Sequence, residues 1–287
     1  MEIPREILEC VAFIYIKDKK SEYKPVGTGF FVSVRIGEPE TKGCCIYFVT
    51  AKHVIENVGD REISIRINTK GGPIHVQIAE GFIWTTHPGD SKNPVDIALV
   101  NITGIIKTLA EPVITHIPIE MLLGQEDIQN GNIQVGNEVF ITGLFVHHHG
   151  KFANLPIVRS GNIAMLPSED EKVAVSWHKA EIDAYLIEAR SIGGISGSPV
   201  FFREPYFKEG GTGVKIGGVS IRPKPKFYLG GLIHGHWSTS SAKIDTVDDS
   251  LEESNVNMGI AIVTPAIKIH ETLMHPQLVE ERKVFGK

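Results

Sequence analysis

Between residues 10 and 263 the chain is a succession of short β-rich runs broken by Gly, Pro, Asn and Asp, with almost no helical periodicity. The runs are 10–16, 29–36, 44–50, 63–67, 74–78, 97–102, 138–144, 157–165, 173–176, 185–188, 200–202, 215–219, 229–234 and 259–263. Runs of this length and spacing specify an all-β protein, built as a sandwich or as barrels. Around 109–132 the strand signal lapses into Pro112, Pro118 and the polar stretch 125–132, which places a boundary between two β units near residue 115. Each unit then holds about six strands. After Pro265 the spacing changes: Ala266, Ile267, Ile269, Leu273 and Met274 recur with helical period, so a C-terminal amphipathic helix is expected. The expected division is 1–115, 116–265 and a helix with tail at 266–287, of which 279–287 is charged and free to fray.

A chain of 287 residues, 42% hydrophobic and 22% charged, can bury a large core or two smaller ones. Its net charge of -5 excludes the basic footprint of a nucleic-acid binder. The cluster Lys17-Asp18-Lys19-Lys20 is offset by Asp18 and by Glu22 and reads as a solvated turn. Three cysteines, two of them adjacent (Cys44 and Cys45), make no disulfide framework and suit a reducing compartment; a bridge to Cys10 is the alternative. The segment 7–16 is about ten residues long and contains Glu9, so it is neither a signal peptide nor a membrane span. The expectation is a cytoplasmic protein without membrane contact.

Three stretches carry chemistry. Gly193-Gly194-Ile195-Ser196-Gly197-Ser198-Pro199 packs three glycines, two serines and a proline into seven residues. Such a turn exposes one hydroxyl and can aim backbone N–H groups at one point, as acyl transfer requires. Ser196 is the candidate nucleophile, and the N–H groups of Gly194 and Ser196 are the candidate oxyanion hole. Taken alone, the stretch reads more readily as a turn between strands. The run 44–50 ends at Thr50-Ala51-Lys52-His53, presenting an imidazole, and Asp96 immediately precedes the apolar run 97–102. A lone histidine there is ordinarily a packed residue, and a lone Asp a turn former. Together they supply the base that a hydroxyl nucleophile needs and the carboxylate that orients the base.

With these residues in the order His53, Asp96, Ser196, the chain resembles the chymotrypsin-fold, trypsin-like serine peptidases over roughly residues 10 to 275. Gly27-Thr28-Gly29-Phe30-Phe31 is similar to that family's early Gly-x-Gly-Phe strand, Thr50-Ala51-Lys52-His53 to its Thr-Ala-x-His, and Val95-Asp96-Ile97-Ala98-Leu99 to its Asp-Ile-Ala-Leu. Gly194-Ile195-Ser196-Gly197-Ser198-Pro199 resembles Gly-x-Ser-Gly-[Gly/Ser]-Pro. Gly231-Leu232-Ile233-His234 resembles the strand lining the substrate cleft, and 258–265 the last strand and helix entry of bacterial members. The resemblance implies two six-stranded antiparallel β-barrels with a C-terminal α-helix. The cleft between them would hold the triad His53, Asp96 and Ser196, with a polypeptide as substrate. A peptide-binding pseudoprotease is the alternative, and an esterase using the same triad is a third.

The sequence departs from digestive members at Ile195, where they carry an Asp that pairs with a new N-terminus. The oxyanion hole here must be held by packing of Ile195 and the glycines, or form when a substrate or partner binds. Arg190, His234, Gly235 and His236 fall where the family's primary pocket is lined. There they would favour an acidic side chain, as in bacterial glutamyl endopeptidases, whose Gly-Ile-His-Trp strand 231–237 approximates out of register. The other reading has His234 bonded locally and Arg190 facing solvent. His147-His148-His149 and His234-x-His236 lack ligand-spaced partners, so no metal or cofactor is expected, and the triplet reads as an exposed loop. Any regulatory partner must be another chain.

Overall fold

A computed structural model describes residues 3–37, 43–79, 81–91, 94–168, 171–175, 180–189, 194–205, 214–216, 219–221, 226–240 and 255–285. In the first half, β1 (Val11–Lys17) is buried along six consecutive residues because it runs between β2 (Tyr23–Arg35) and β4 (Ile63–Thr69) and is covered on both faces. The sheet continues through β3 (Cys44–Thr50), β5 (Gly72–Ile78), β7 (Ala98–Asn101) and the two-residue β6 (Thr85–Thr86), in the order β5-β4-β1-β2-β3-β7-β6. β8 (Ile117–Pro118) lies parallel beside β2.

This half departs from the expected barrel. Among the described residues no ladder joins β5 to β6, and the sheet remains an open path of strands. After β6 the connection to β7 contains Pro88 and Pro94, which cannot donate to a ladder, and only Thr85 and Thr86 pair with β7.

The second half does close. β9 (Glu138–Gly143), β10 (Ile157–Met165), β13 (Tyr185–Glu188), β14 (Pro199–Arg203), β17 (Phe227–Ser240) and β18 (Asn255–Pro265) form one antiparallel barrel, ordered β10-β13-β18-β17-β14-β9. Its interior is filled by Val139, Ile141, Ile163, Ile187, Ile195, Val200, Phe202, Ile233 and Val263. Two expected strands fall outside it. The run 173–176 becomes β11 (Val173–Val175), paired only with β12 (Ala180–Ile182). The run 215–219 divides into β15 (Val214–Ile216) and β16 (Val219–Ile221), which pair with each other.

The segment at the expected boundary is stitched to both halves. Ile117 pairs with Val32, and Leu122 bridges Leu229 of the barrel. Short helical elements flank the strands. α1 (Arg5–Glu9) precedes β1, and α2 (Lys52–Glu56), α3 (Thr103–Thr108) and α4 (Gln125–Gln129) are single turns between strands. At the C-terminus α5 (Ala266–Leu273) is followed by α6 (Pro276–Phe285). The tail 279–287, which charge alone suggested would fray, instead continues α6 to Phe285 and buries Arg282, with its guanidinium on the Tyr47 hydroxyl at 3.0 Å. Ala266, Ile269, Leu273 and Leu278 join Phe30, Phe48, Phe201 and Leu232 in one core cluster, so the two C-terminal helices cement the halves together. Cys10 and Cys45 are buried free thiols, and Cys44 is a half-buried one. No helix among the described residues is long and apolar enough to cross a membrane.

Candidate active site

β3 is buried from Cys45 to Thr50, whose hydroxyl donates to the Thr28 carbonyl at 2.7 Å and so ties the end of β3 to β2. Ala51 is extended, and the chain turns into α2, which puts His53 in the first helical turn. Asp96 reaches the same turn from the loop before β7. One of its oxygens accepts the His53 backbone N–H at 2.8 Å, and the other accepts ring Nδ1 at 2.7 Å. The pair is therefore joined through both main chain and side chain. This geometry sets the tautomer, because a proton on Nδ1 leaves Nε2 as the base.

The electrostatics follow from burial. Burial by itself would raise the pKa of Asp96, but the contacts from His234 and His53 outweigh it and hold the carboxyl well below its usual range. Burial disfavours the imidazolium of His53, yet the hydrogen bond and charge of Asp96, with a contribution from Glu56, lift its pKa above 6.5. A buried anion and a proton-hungry imidazole are what general base catalysis by a side chain calls for. Lys52 and Asp90, which the sequence did not single out, brace this arrangement. Lys52 Nζ meets Asp90, whose other oxygen accepts the Val95 N–H at 3.0 Å, locking the loop that carries Asp96 onto α2.

The Ser196 turn is clamped from two sides. Ser198 N–H closes it onto the Ile195 carbonyl at 2.9 Å. Gly197 N–H donates to the Ile233 carbonyl, and Ile233 N–H to the Ser198 carbonyl, both at 2.9 Å, which hang the turn on β17. From β2, Thr28 N–H reaches the Ser196 carbonyl at 3.1 Å, and the Thr28 hydroxyl reaches the Gly194 carbonyl at 3.1 Å while accepting Leu144 N–H at 2.8 Å. Thr28 thus brackets the turn; sequence reading included it only as the filler between two glycines.

Gly197 has φ +80°, and a Cβ there would overlap the Thr28 carbonyl, the Thr50 hydroxyl and the backbone N of Ala51. Only glycine lets this turn sit against the strand end that delivers His53. Ile195 is 2% exposed, packed in the barrel core. The N–H groups of Gly194 and Ser196 donate to nothing among the described residues. Ser196 is half-buried, and no hydrogen bond joins it to His53.

The remaining predicted residues divide. Arg190 and the side chain of His236 lie outside the described residues. Gly235 pairs with Ile262 on β18. For His234 two readings stood, on the substrate wall or bonded locally. The structure buries it to 4% exposure and sets its Nδ1 2.9 Å from Asp96, so it surrounds the carboxylate rather than lining an open pocket. A cavity of about 220 Å³ adjoins Asp96, lined by His87, Val95, Asp183, Thr264 and Lys268; neither His53 nor Ser196 faces it. His147 and His148 are exposed, while His149 edges onto Tyr15. No group of three metal-ligating side chains occurs among the described residues.

The arrangement can hold an anion-backed imidazole beside a hydroxyl-bearing turn. No family model matches the chain, and no curated protein matches it.

Proposed function

We propose that the chain is a serine endopeptidase of the chymotrypsin-like kind that it resembles. The observation carrying this reading is the double bonding of His53 to buried Asp96, beside a Ser196 turn that Gly197 seats against Ala51. In the reaction, Nε2 of His53 takes the Ser196 proton as Oγ attacks the scissile carbonyl. The N–H groups of Gly194 and Ser196 take up the charge on the carbonyl oxygen. His53 then protonates the leaving amine, and water repeats the cycle on the acyl-enzyme. Asp96 stays ionised throughout.

The edge of β17 supports a peptide as substrate. β14 begins with Pro199 opposite Leu232, so residues 234–240 of β17 are paired on one side only, with β18, among the described residues. An extended peptide can add there as a strand. A preference for acidic side chains belongs to the same proposal through Arg190 and His236. Libraries cleaved best after Leu or Lys would remove it.

A second reading, a peptide-binding protein that does not cut, is favoured by the missing Ser196–His53 hydrogen bond. Such bonds often tighten only in the substrate complex, which keeps catalysis the first reading. A fluorophosphonate separates the two. The wild-type protein should be labelled at Ser196, and S196A, melting at the same temperature, should not. An inert wild-type protein that still binds peptides would establish the second reading.

A further inference from the structure

The cavity beside Asp96 stands between the loop before β7, the end of β12 and the start of α5. Its volume is about 220 Å³, and neither His53 nor Ser196 lines it. A cavity of about 150 Å³ admits a molecule of benzene size, so a small organic molecule fits here.

The cavity wall carries a polar atom that the protein leaves unsatisfied. Thr264 is 4% exposed, and its Oγ1 has no hydrogen-bond partner among the described residues. The strand period sets its direction. Val263 points into the barrel core, so Thr264 faces the opposite way, on the side of Ile262, which packs with Ile182 at the cavity wall. A buried hydroxyl without a partner is costly unless something in the cavity bonds it.

The charges nearby are also incompletely engaged. Lys268 Nζ donates to Glu271 at 3.3 Å and lies 3.6 Å from Asp183. Lys172 approaches the other oxygen of Asp183 at 3.7 Å. Neither contact to Asp183 is short enough for a hydrogen bond, so the carboxylate attracts both ammonium groups without accepting from either. An ammonium has three donors, and Lys268 spends one on Glu271. Lys268 also stands in the first turn of α5, at the positive end of the helix dipole and with no acidic residue in that turn. His87, by contrast, is fully engaged: Nδ1 accepts the Gly89 N–H at 2.9 Å, and Nε2 meets Glu271 at 2.6 Å.

We propose that this cavity binds a small free α-amino acid, its carboxylate on Lys268 Nζ and the Thr264 hydroxyl and its ammonium on Asp183. The wall sets an ammonium and a carboxylate side by side, and a ligand with the same two charges side by side complements both. A simple anion would meet Asp96, Asp183 and Glu271, and a simple cation would meet Lys268 and the end of α5. The site exists whether or not Ser196 is a nucleophile.

The test uses the full chain with glycine, L-alanine, L-serine and L-valine as probes, against acetate, ethylamine and glycerol. Binding is read by titration calorimetry and by the methyl resonance of Ile182 at the cavity wall, with Ile141 inside the barrel as reference. At least one amino acid should bind saturably, with a dissociation constant of about 1 mM or below, and move Ile182 but not Ile141. T264V, which keeps the shape and removes the hydroxyl, should weaken binding about threefold to tenfold, and K268M and D183N about tenfold or more. T264A replaces T264V if valine is not tolerated; K268M and D183N test the site without touching β18. Absence of saturable binding by all four amino acids overturns the proposal. Equal binding of acetate, ethylamine or glycerol does so too, as does an unmoved Ile182 resonance or full affinity in the folded variants. Binding is read without turnover, so a wild-type protein that is not labelled at Ser196 loses the peptidase reading while the titration still decides this site.

Discussion

Arg282 on the last helix and Tyr47 in the middle of β3 meet at 3.0 Å in the protein interior, a guanidinium donating to a phenol across almost the whole length of the chain. The guanidinium carbon also lies 5.7 Å from the Tyr47 ring centroid. Replacing Arg282 with Met keeps the aliphatic bulk and removes the donor. The expected cost is about 1–3 kcal/mol, read as a lower urea midpoint with an unchanged slope. If R282M is as stable as wild type, the C-terminal helix is not an anchor.

Gly197 governs a second outcome. G197A places a methyl group where the Thr28 carbonyl, the Thr50 hydroxyl and the Ala51 N already stand, at a positive φ. The Ser196 turn must then back away from the end of β3. Ser196 labelling should fall by at least about a hundredfold, while circular dichroism still reports a folded barrel. Labelling at the wild-type rate would show that the turn need not seat there.

The pH dependence follows from His53 and Asp96. Because the pKa of His53 is raised, the base is lost earlier on acidification, and the midpoint of the acid limb of kcat/KM should lie above about 6.5. In D96N that midpoint should drop and the rate should fall by about four orders of magnitude. The stability consequence has opposite signs for the two groups. The His53 contribution is present below its unfolded pKa and fades as pH rises through the folded one. The Asp96 contribution is present above about 3.9 and fades as pH falls. An acid limb below pH 6, or one unmoved in D96N, contradicts the pairing.

Arg66 is enclosed in β4 without a carboxylate partner among the described residues; its guanidinium donates to the carbonyls of Gly150 at 2.7 Å and Lys151 at 2.9 Å. It therefore pins the loop that follows the histidine triplet to the other half of the molecule. In R66M this loop should open more often, and trypsin should cut after Lys151 about tenfold faster than in wild type. Equal protection, followed by mass spectrometry, would show that Asn154, bonded to Arg66 O and Asn68, suffices by itself.

Local signals located the strands well. Apolar alternation and turn residues marked 44–50, 138–144, 157–165 and 200–202 close to the bounds of β3, β9, β10 and β14. They also marked His53 and Asp96, each a polar residue beside an apolar run, and Ser196, which stands in a turn of glycines, serines and a proline. Closure of one half and not the other was not legible, because it depends on whether β5 finds a partner on its outer edge, a contact no local pattern encodes. The C-terminal tail misled for a similar reason. Its charges read as solvated until Tyr47, far away in sequence, supplied a buried partner for Arg282.

The order of the strands, the open turn around Ser196 and the identity of the polar residues at strand ends are properties of the chain alone, because they rest on neighbours a few residues apart. That His53 is bonded twice to Asp96, that Thr28 clamps the Ser196 turn, and that His234 is buried against the same carboxylate were decided only by folding. Each joins segments many residues apart, and the free energy that favours it comes from taking those groups out of water together, which the sequence of either segment cannot express.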